Sequence, residues 1–286
     1  MVDKTKSSLF DTRHYFSPHQ GQLSTILSQL TGKTTERVIE LIHLGAVYVD
    51  HQRKRTDQII EAQQLLRIHL LPKRYFIPQL KNQIVDEQEH YLILNKPSGL
   101  PCHPTVDNFV ENLKTQLEMA LQRPLYITHR LDQPTQGLLL VAKSPLYQSL
   151  FNEMLKQRQV EKSYLALTSS PLEPGEYCHY MEPSPRAPKN VQAEAHHGWQ
   201  ECRLKIESRR TSLKNPQQYV HQIQLLTGRT HQIRAQMAAL GAPLVGDKMY
   251  GGFGEDSEFS LLCHELKFTC PLTLQRITHR ITPFDS

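Results

Sequence analysis

The segment HRLDQPTQG at 129–137 places His129, Arg130 and Asp132 in a polar stretch that leads straight into the unbroken apolar run Leu138 to Ala142. Such a run, bounded by Gly137 and Lys143, reads as a strand buried on both faces, and a polar loop delivered onto a rigid strand is a common mount for catalytic groups. A carboxylate held there can act as a nucleophile or exchange protons with a substrate. Asp is equally at home in turns and helix caps, so Asp132 taken alone reads as a turn residue. Two further segments carry reactive side chains: VEKSYLAL at 160–167 with Tyr164, and TGRTHQIRAQMAALG at 227–241 with His231, Ile233 and Arg234. Singly, Arg130 reads as a surface ion pair, Arg234 as a solvated helix residue and Tyr164 as a half-buried strand aromatic.

Other chemistries lack their residues. His129, His231 and the pair Cys263–His264 show no ligand spacing, so no metal site is expected. The five cysteines include no CxxC pair and read as reduced thiols of a cytoplasmic protein. Neither a GxxxxGK[ST] loop nor a strand-linked GxGxxG fingerprint is present, which argues against a phosphate donor or hydride carrier, so no cofactor is expected. A glycoside or nucleoside hydrolase often pairs two carboxylates, and only one stands out here.

The elements that would position these groups follow from periodicity. Up to about Gln20 the chain is polar and aperiodic, and reads as a flexible tail (1–20) or a strand added to a neighbour's edge. Leu23, Ile26, Leu27 and Leu30 recur at helical spacing before Gly32, and Val38, Leu41 and Ile42 mark a second helix that ends at Gly45. Ala46 to Val49 reads as a short strand, His51 to Arg55 as a basic turn, and Leu66, Ile68 and Leu70 alternate as a further strand, which closes a small α/β unit over 21–72. The polar stretch at 71–90, with two prolines, reads as a linker over 73–90.

The remaining domain, 91–286, opens with a strand at Tyr91 to Asn95 and the irregular loop KPSGLPCHP, followed by a helix near Val110 to Leu121. Ser144 and Pro145 begin a helix whose stripe Tyr147, Leu150, Phe151, Met154 and Leu155 is core packing. The Pro-rich segment EPGEYCHYMEPSPRAPKN reads as a surface loop, and strands are expected around Cys202 to Ile206 and Tyr219 to Leu225. Strand-rich sequence without regular βα alternation argues an α+β fold.

Composition agrees with a folded soluble chain: of 286 residues 38% are hydrophobic and 21% charged. No apolar run approaches a membrane span, and MVDKTKSSLFDTRH lacks the apolar core of a signal peptide, so neither membrane insertion nor secretion is expected. The net charge of +5 would draw the protein to a polyanion such as nucleic acid. Between Arg13 and Pro78 nine lysines and arginines, among them Lys33, Arg37, Arg53, Lys54 and Arg55, face five acids, an excess suited to phosphate contacts.

Three segments resemble, in order, the RluA family of pseudouridine synthases: ILNKPSGLPCHP at 93–104, HRLDQPTQGLLLVAKS at 129–144 and LLTGRTHQIRAQMAALGAPLVGDKMYGG at 225–252. VEKSYLAL, and LLCHELKF at 261–268, resemble shorter family segments. Gln136 departs from the family, which has serine there. Residues 21–72 resemble the small RNA-binding module named after ribosomal protein S-four.

The resemblance implies a mixed, largely antiparallel sheet with flanking helices, preceded by a small α/β RNA-binding module. It implies a cofactor-free isomerase, a monomer, that converts uridine in structured ribosomal or transfer RNA to pseudouridine. Asp132 would be the catalytic carboxylate, attacking the anomeric carbon or removing a neighbouring sugar proton. Tyr164 would lie against the uracil and exchange the C5 proton, and Arg234 would be the ion-pair partner of Asp132. Arg130 would fill the space of the flipped nucleotide or hold its phosphate, Ile233 would pack by the base, and Lys33, Arg37, Arg53, Lys54 and Arg55 would contact RNA.

Overall fold

In the computed structural model, which describes residues 11–253 and 259–282, contacts divide the chain into two units. One comprises the residues up to Ile77 together with His103–Ala120, and the other Pro78–Cys102 together with the residues from Leu121 onward.

The first unit is built on the two expected helices, α1 (Leu23–Thr31) and α2 (Thr35–Leu44). Thr34 caps α2 by accepting from the Arg37 amide, and Asp57 accepts from both the Ser24 amide and the Ser24 hydroxyl near the start of α1, so the free first-turn donors find side-chain partners. Strands β1 (Thr12–Phe16), β3 (Val47–Val49), β4 (Gln52–Lys54) and β6 (Leu65–His69) form an antiparallel sheet in the order β1-β6-β3-β4. The short strands β2 (Gly21–Gln22) and β5 (Ile59–Ile60) pair separately. Leu23, Ile26, Leu27, Leu41, Ile42, Val47, Leu66 and Ile68 fill the core between helices and sheet with no exposed surface.

Three features differ from the sequence reading. Residues 12–16, placed in a flexible tail with an added edge strand as the alternative, are that strand, since β1 pairs with β6 at the edge of the sheet, while residues 1–10 lie outside the described residues. The basic stretch at 51–55 is largely strand, and the turn is Asp50–His51, both with left-handed backbone, so the hairpin closes in the tight form that strand twist favours. Segment 103–120, expected with the larger domain, packs within this first unit. Tyr48 donates to the Val106 carbonyl, Arg53 donates to the Thr105 carbonyl, and the Lys73 amide donates to Asp107. These are polar contacts between distant residues, which no hydrophobic period announces. The segment ends in α3 (Leu113–Leu121), where Asn112 accepts from the Thr115 amide.

The second unit is an eleven-stranded sheet. Its strands are β7 (Ile84–Glu87), β8 (Tyr91–Lys96), β9 (Tyr126–Ile127), β10 (Gln136–Ala142), β11 (Glu161–Thr168), β12 (Gly175–Met181), β13 (Val191–Gln192), β14 (Gln200–Thr211), β15 (Tyr219–Leu225), β16 (Leu261–Thr269) and β17 (Arg276–Arg280). The order is β13-β12-β14-β15-β11-β16-β10-β8-β7, with β9 on β10 and β17 on β16. Every pairing is antiparallel except β10 with β16, so the sheet is mixed and largely antiparallel as expected.

That one parallel contact depends on Gly137, whose φ is +113° and whose added Cβ would lie 2.3 Å from the Cys263 carbonyl oxygen. Leu138 to Ala142 are wholly buried, and α4 (Pro145–Lys156), capped by Ser144, contributes Tyr147 and Phe151 to the core. Two stretches read as linker or loop contain strands. β7 lies in 73–90, and β12 lies between Pro174 and Pro183 with His179 and Met181 turned inward. The prolines bracket β12 without interrupting it, and its mixed composition hid the alternation.

Candidate active site

Loop 129–135 enters β10, and a second loop, 96–102, leaves β8 beside it, because β8 and β10 are antiparallel neighbours with Lys96 opposite Gly137. The two loops are tied at several points. The Lys96 ammonium, with no exposed surface, donates to the carbonyls of Pro97 (2.9 Å), Gln133 (3.0 Å) and Thr135 (2.9 Å). The Gly99 amide donates to Gln133, Ser98 donates to the Pro134 carbonyl, and the Cys102 thiol donates to the Leu131 carbonyl. Burial pushes the Lys96 pKa down to about 8, with nearby Cys102 and Asp132 acting the other way. The backbone that follows Asp132 is therefore held by the Lys96 amine, and the residue before it by the Cys102 thiol, neither of which the sequence singles out.

Lys96→Met keeps the length of the side chain and removes its donors. The Pro97 and Thr135 carbonyls would then have no partner in the two loops, and the fold should lose about 2 to 4 kcal/mol. Urea melts check the stability. A wild-type melt would show that the loops hold without this amine.

The Asp132 side chain is about one-fifth exposed, and its carboxylate accepts no hydrogen bond among the described residues. It faces α5 (Gln232–Ala239), a helix whose Gln232, Arg234 and Gln236 are all buried. Arg234 Nη1 lies 3.7 Å from Asp132 Oδ2, so the two segments meet as expected, but the main partner of Arg234 is different. Its Nε and Nη2 donate to the two oxygens of Asp247, both at 2.8 Å, and the two side chains are 5% and 1% exposed. Burial opposes the guanidinium charge, yet Asp247, with help from Asp132, holds the Arg234 pKa above its ordinary value. The Tyr250 and Phe259 rings lie 5.0 and 5.2 Å from the guanidinium carbon.

His231, which precedes α5 with left-handed backbone (φ +59°), brings Nε2 to 4.0 Å from Asp132 Oδ2 and Nδ1 to 3.0 Å from the Tyr250 hydroxyl. The Tyr250 oxygen already accepts from the Lys189 amide, so its hydrogen is available to Nδ1, which favours the tautomer with Nε2–H toward Asp132. Burial holds the His231 pKa below its ordinary value, against the pull of Asp132. Tyr164, on β11, is 5% exposed, and burial first, then Cys263 and Asp132, raise its pKa well above the usual phenol value, so it is a neutral hydroxyl. Ile233 is buried on α5, and Arg130 is exposed with no ion pair among the described residues.

In the first unit the basic residues divide. Lys33 and Arg55 are exposed, the latter with its guanidinium carbon 4.2 Å from the Phe109 ring centre. Arg37 pairs with Glu40, Lys54 reaches Gln52, and Arg53 is committed to Tyr48 and the Thr105 carbonyl, so Arg53 helps to build the fold. Lys96, Asp247 and Tyr250 all stand in the segments that carry the family resemblance, which was the available signal for them. From sequence, His231 reads only as a metal ligand without ligand spacing.

A profile of the family described as RNA pseudouridylate synthase matches residues 90–239. The Arabidopsis thaliana protein named "RNA pseudouridine synthase 6, chloroplastic" is 39% identical over 219 residues, 68% of this chain and 46% of that protein, so the chain spans about half the length of this relative. The Escherichia coli "Ribosomal large subunit pseudouridine synthase C" is 30% identical over 278 residues, 86% of this chain and 84% of that one. Among solved structures, human RNA pseudouridylate synthase domain containing 1 shares the fold, with a TM-score of 0.59 at 22% identity over 72% of this chain and 86% of that one. A family profile over half of the chain, together with relatives matched along most of it, shows that the chain belongs to the RNA pseudouridylate synthase family, of the RluA type.

Proposed function

We propose that this protein isomerises uridine within RNA to pseudouridine, with Asp132 as the catalytic carboxylate. The observation that carries the reading is the approach of Arg234 to within 3.7 Å of a carboxylate that accepts no hydrogen bond among the described residues, between motifs about a hundred residues apart. In the reaction the bond from ribose C1′ to uracil N1 breaks, the base turns, C1′ joins C5, and the C5 proton is lost as N1 gains one. No atom is gained or lost overall, so no cofactor is needed.

Asp132 either attacks C1′ or removes the 2′ proton, and its uncommitted lone pairs suit both roles. Arg234 supplies a fixed positive charge, because Asp247 locks its orientation. Neutral Tyr164 lies against the base and exchanges the C5 proton, Ile233 packs beside it, and exposed Arg130 enters the space left by the flipped nucleotide or holds its phosphate.

Incubation with RNA from cells lacking the protein tests the reading. Uridine should convert to pseudouridine without change of mass, whereas a hydrolase would release uracil and a binding protein would leave the RNA unaltered. The same turnover should survive exhaustive chelation, and loss restored by one metal would overturn the cofactor-free reading. The substrate is ribosomal or transfer RNA, with the names of the bacterial relatives favouring the ribosomal class.

The first unit serves as the S-four-like RNA-binding module, through exposed Lys33 and Arg55. Lys33→Ala/Arg55→Ala should weaken RNA binding and lower the slope of log affinity against log salt by about one to two units, since two fewer counterions are released. An unchanged slope in filter-binding titrations would remove both residues from the phosphate contacts.

A further inference from the structure

Beside the catalytic groups the second unit has an open pocket of about 410 Å³, lined by Gln83, Asn95, Pro97, Ser98, Gln136 and Phe259, with Lys96 in its wall. Asp132, Tyr164 and Ile233 do not line it, so it is not where the isomerised base sits. It is nonetheless one side chain away, since the Phe259 ring that forms part of it also lies 5.2 Å from the Arg234 guanidinium carbon.

The lining selects a class of ligand. Among the described residues that line it, the only charged side chain, Lys96, is committed to three backbone carbonyls, which leaves no cation among them to hold a phosphate. The amides of Gln83, Asn95 and Gln136 make no hydrogen bond among the described residues, which leaves three donor and acceptor pairs around an aromatic ring. A neutral, planar molecule with donors and acceptors along its edge fits that set, with the ring for stacking and the amides for the edge.

We propose that this pocket binds an unpaired nucleobase of the substrate RNA, one that flanks the target uridine, and so reads sequence around the site. The inference rests on the pseudouridine synthase reading. Gln136, where the family has serine, extends the pocket by one amide, so the preference belongs to this chain's own residues.

The experiment uses full-length wild type, Gln136→Ser and Gln83→Leu/Asn95→Leu, with thermal melting to check folding. Oligonucleotides made from a uridine site mapped in RNA of cells lacking the protein carry each of the four bases at each flanking position, and both Kd and single-turnover rate are measured. Wild type should discriminate at one flanking position by about ten- to a hundred-fold, and both variants should lose most of that ratio. A variant that fails to fold drops out, and Gln136→Ser, at a half-exposed position, still carries the comparison. An active wild type with no flanking preference, or variants that keep the full ratio, would overturn the pocket and leave the enzyme reading intact. A wild type that binds with a base preference lost in the variants, yet forms no pseudouridine, would keep the pocket and overturn the enzyme reading.

Discussion

Asp132→Asn should bring pseudouridine formation down by on the order of 10⁴-fold or more, while RNA binding and the melting temperature stay close to wild type. The amide keeps the shape of the side chain and removes both its charge and its nucleophilic or basic oxygen. The fold should not notice, because the Asp132 carboxylate accepts no hydrogen bond among the described residues and its loop is tied through the backbone by Lys96, Ser98, Gly99 and Cys102. Arg234 also keeps its bidentate partner Asp247 in the variant. Single-turnover conversion of RNA by purified wild type and variant decides the matter. A folded Asp132→Asn protein that works at the wild-type rate would show that the carboxylate is not catalytic.

Arg234→Ala should damage both stability and activity, for separable reasons. Its stability cost arises at Asp247, which is 1% exposed and would lose two charge-assisted hydrogen bonds at once. An uncompensated buried charge of this kind costs about 3 to 5 kcal/mol. The activity loss arises at Asp132, which would lose the one cation within 4 Å of its oxygens among the described residues other than His231. Removing both members of the buried pair distinguishes these effects. Arg234→Leu/Asp247→Leu should recover most of the stability, since apolar replacement of a buried pair is often tolerated, yet remain inactive. Urea melts and single-turnover rates on the three proteins read both quantities. A single variant as stable as wild type would mean that the pair does not hold the fold, and an active double variant would mean that Asp132 works without the guanidinium.

The elements that periodicity made legible are those whose own side chains pay no heed to distant partners. The run Leu138 to Ala142 is apolar because both faces of β10 are covered, and Tyr219 to Leu225 coincides with β15. The cap Ser144 and the stops Gly32 and Gly45 lie where local backbone chemistry requires them. β7 and β12 are not legible, and β1 is so only as the alternative to a tail, because edge or half-exposed strands of mixed composition carry weak alternation, and what makes them strands is a neighbour elsewhere in the chain.

For the candidate site, the sequence by itself supplied the ordered motifs around Asp132, Tyr164 and Arg234. It did not determine who pairs with whom. Only the folded chain sets Asp247 against Arg234, directs the Lys96 amine to the Gln133 and Thr135 carbonyls that follow Asp132, and turns His231 between Tyr250 and the carboxylate. Motifs are local patterns of residue type, whereas hydrogen bonds and ion pairs depend on distances of a few ångströms between residues far apart in the chain. Those distances come into being only when β8, β10 and α5 are packed around one loop.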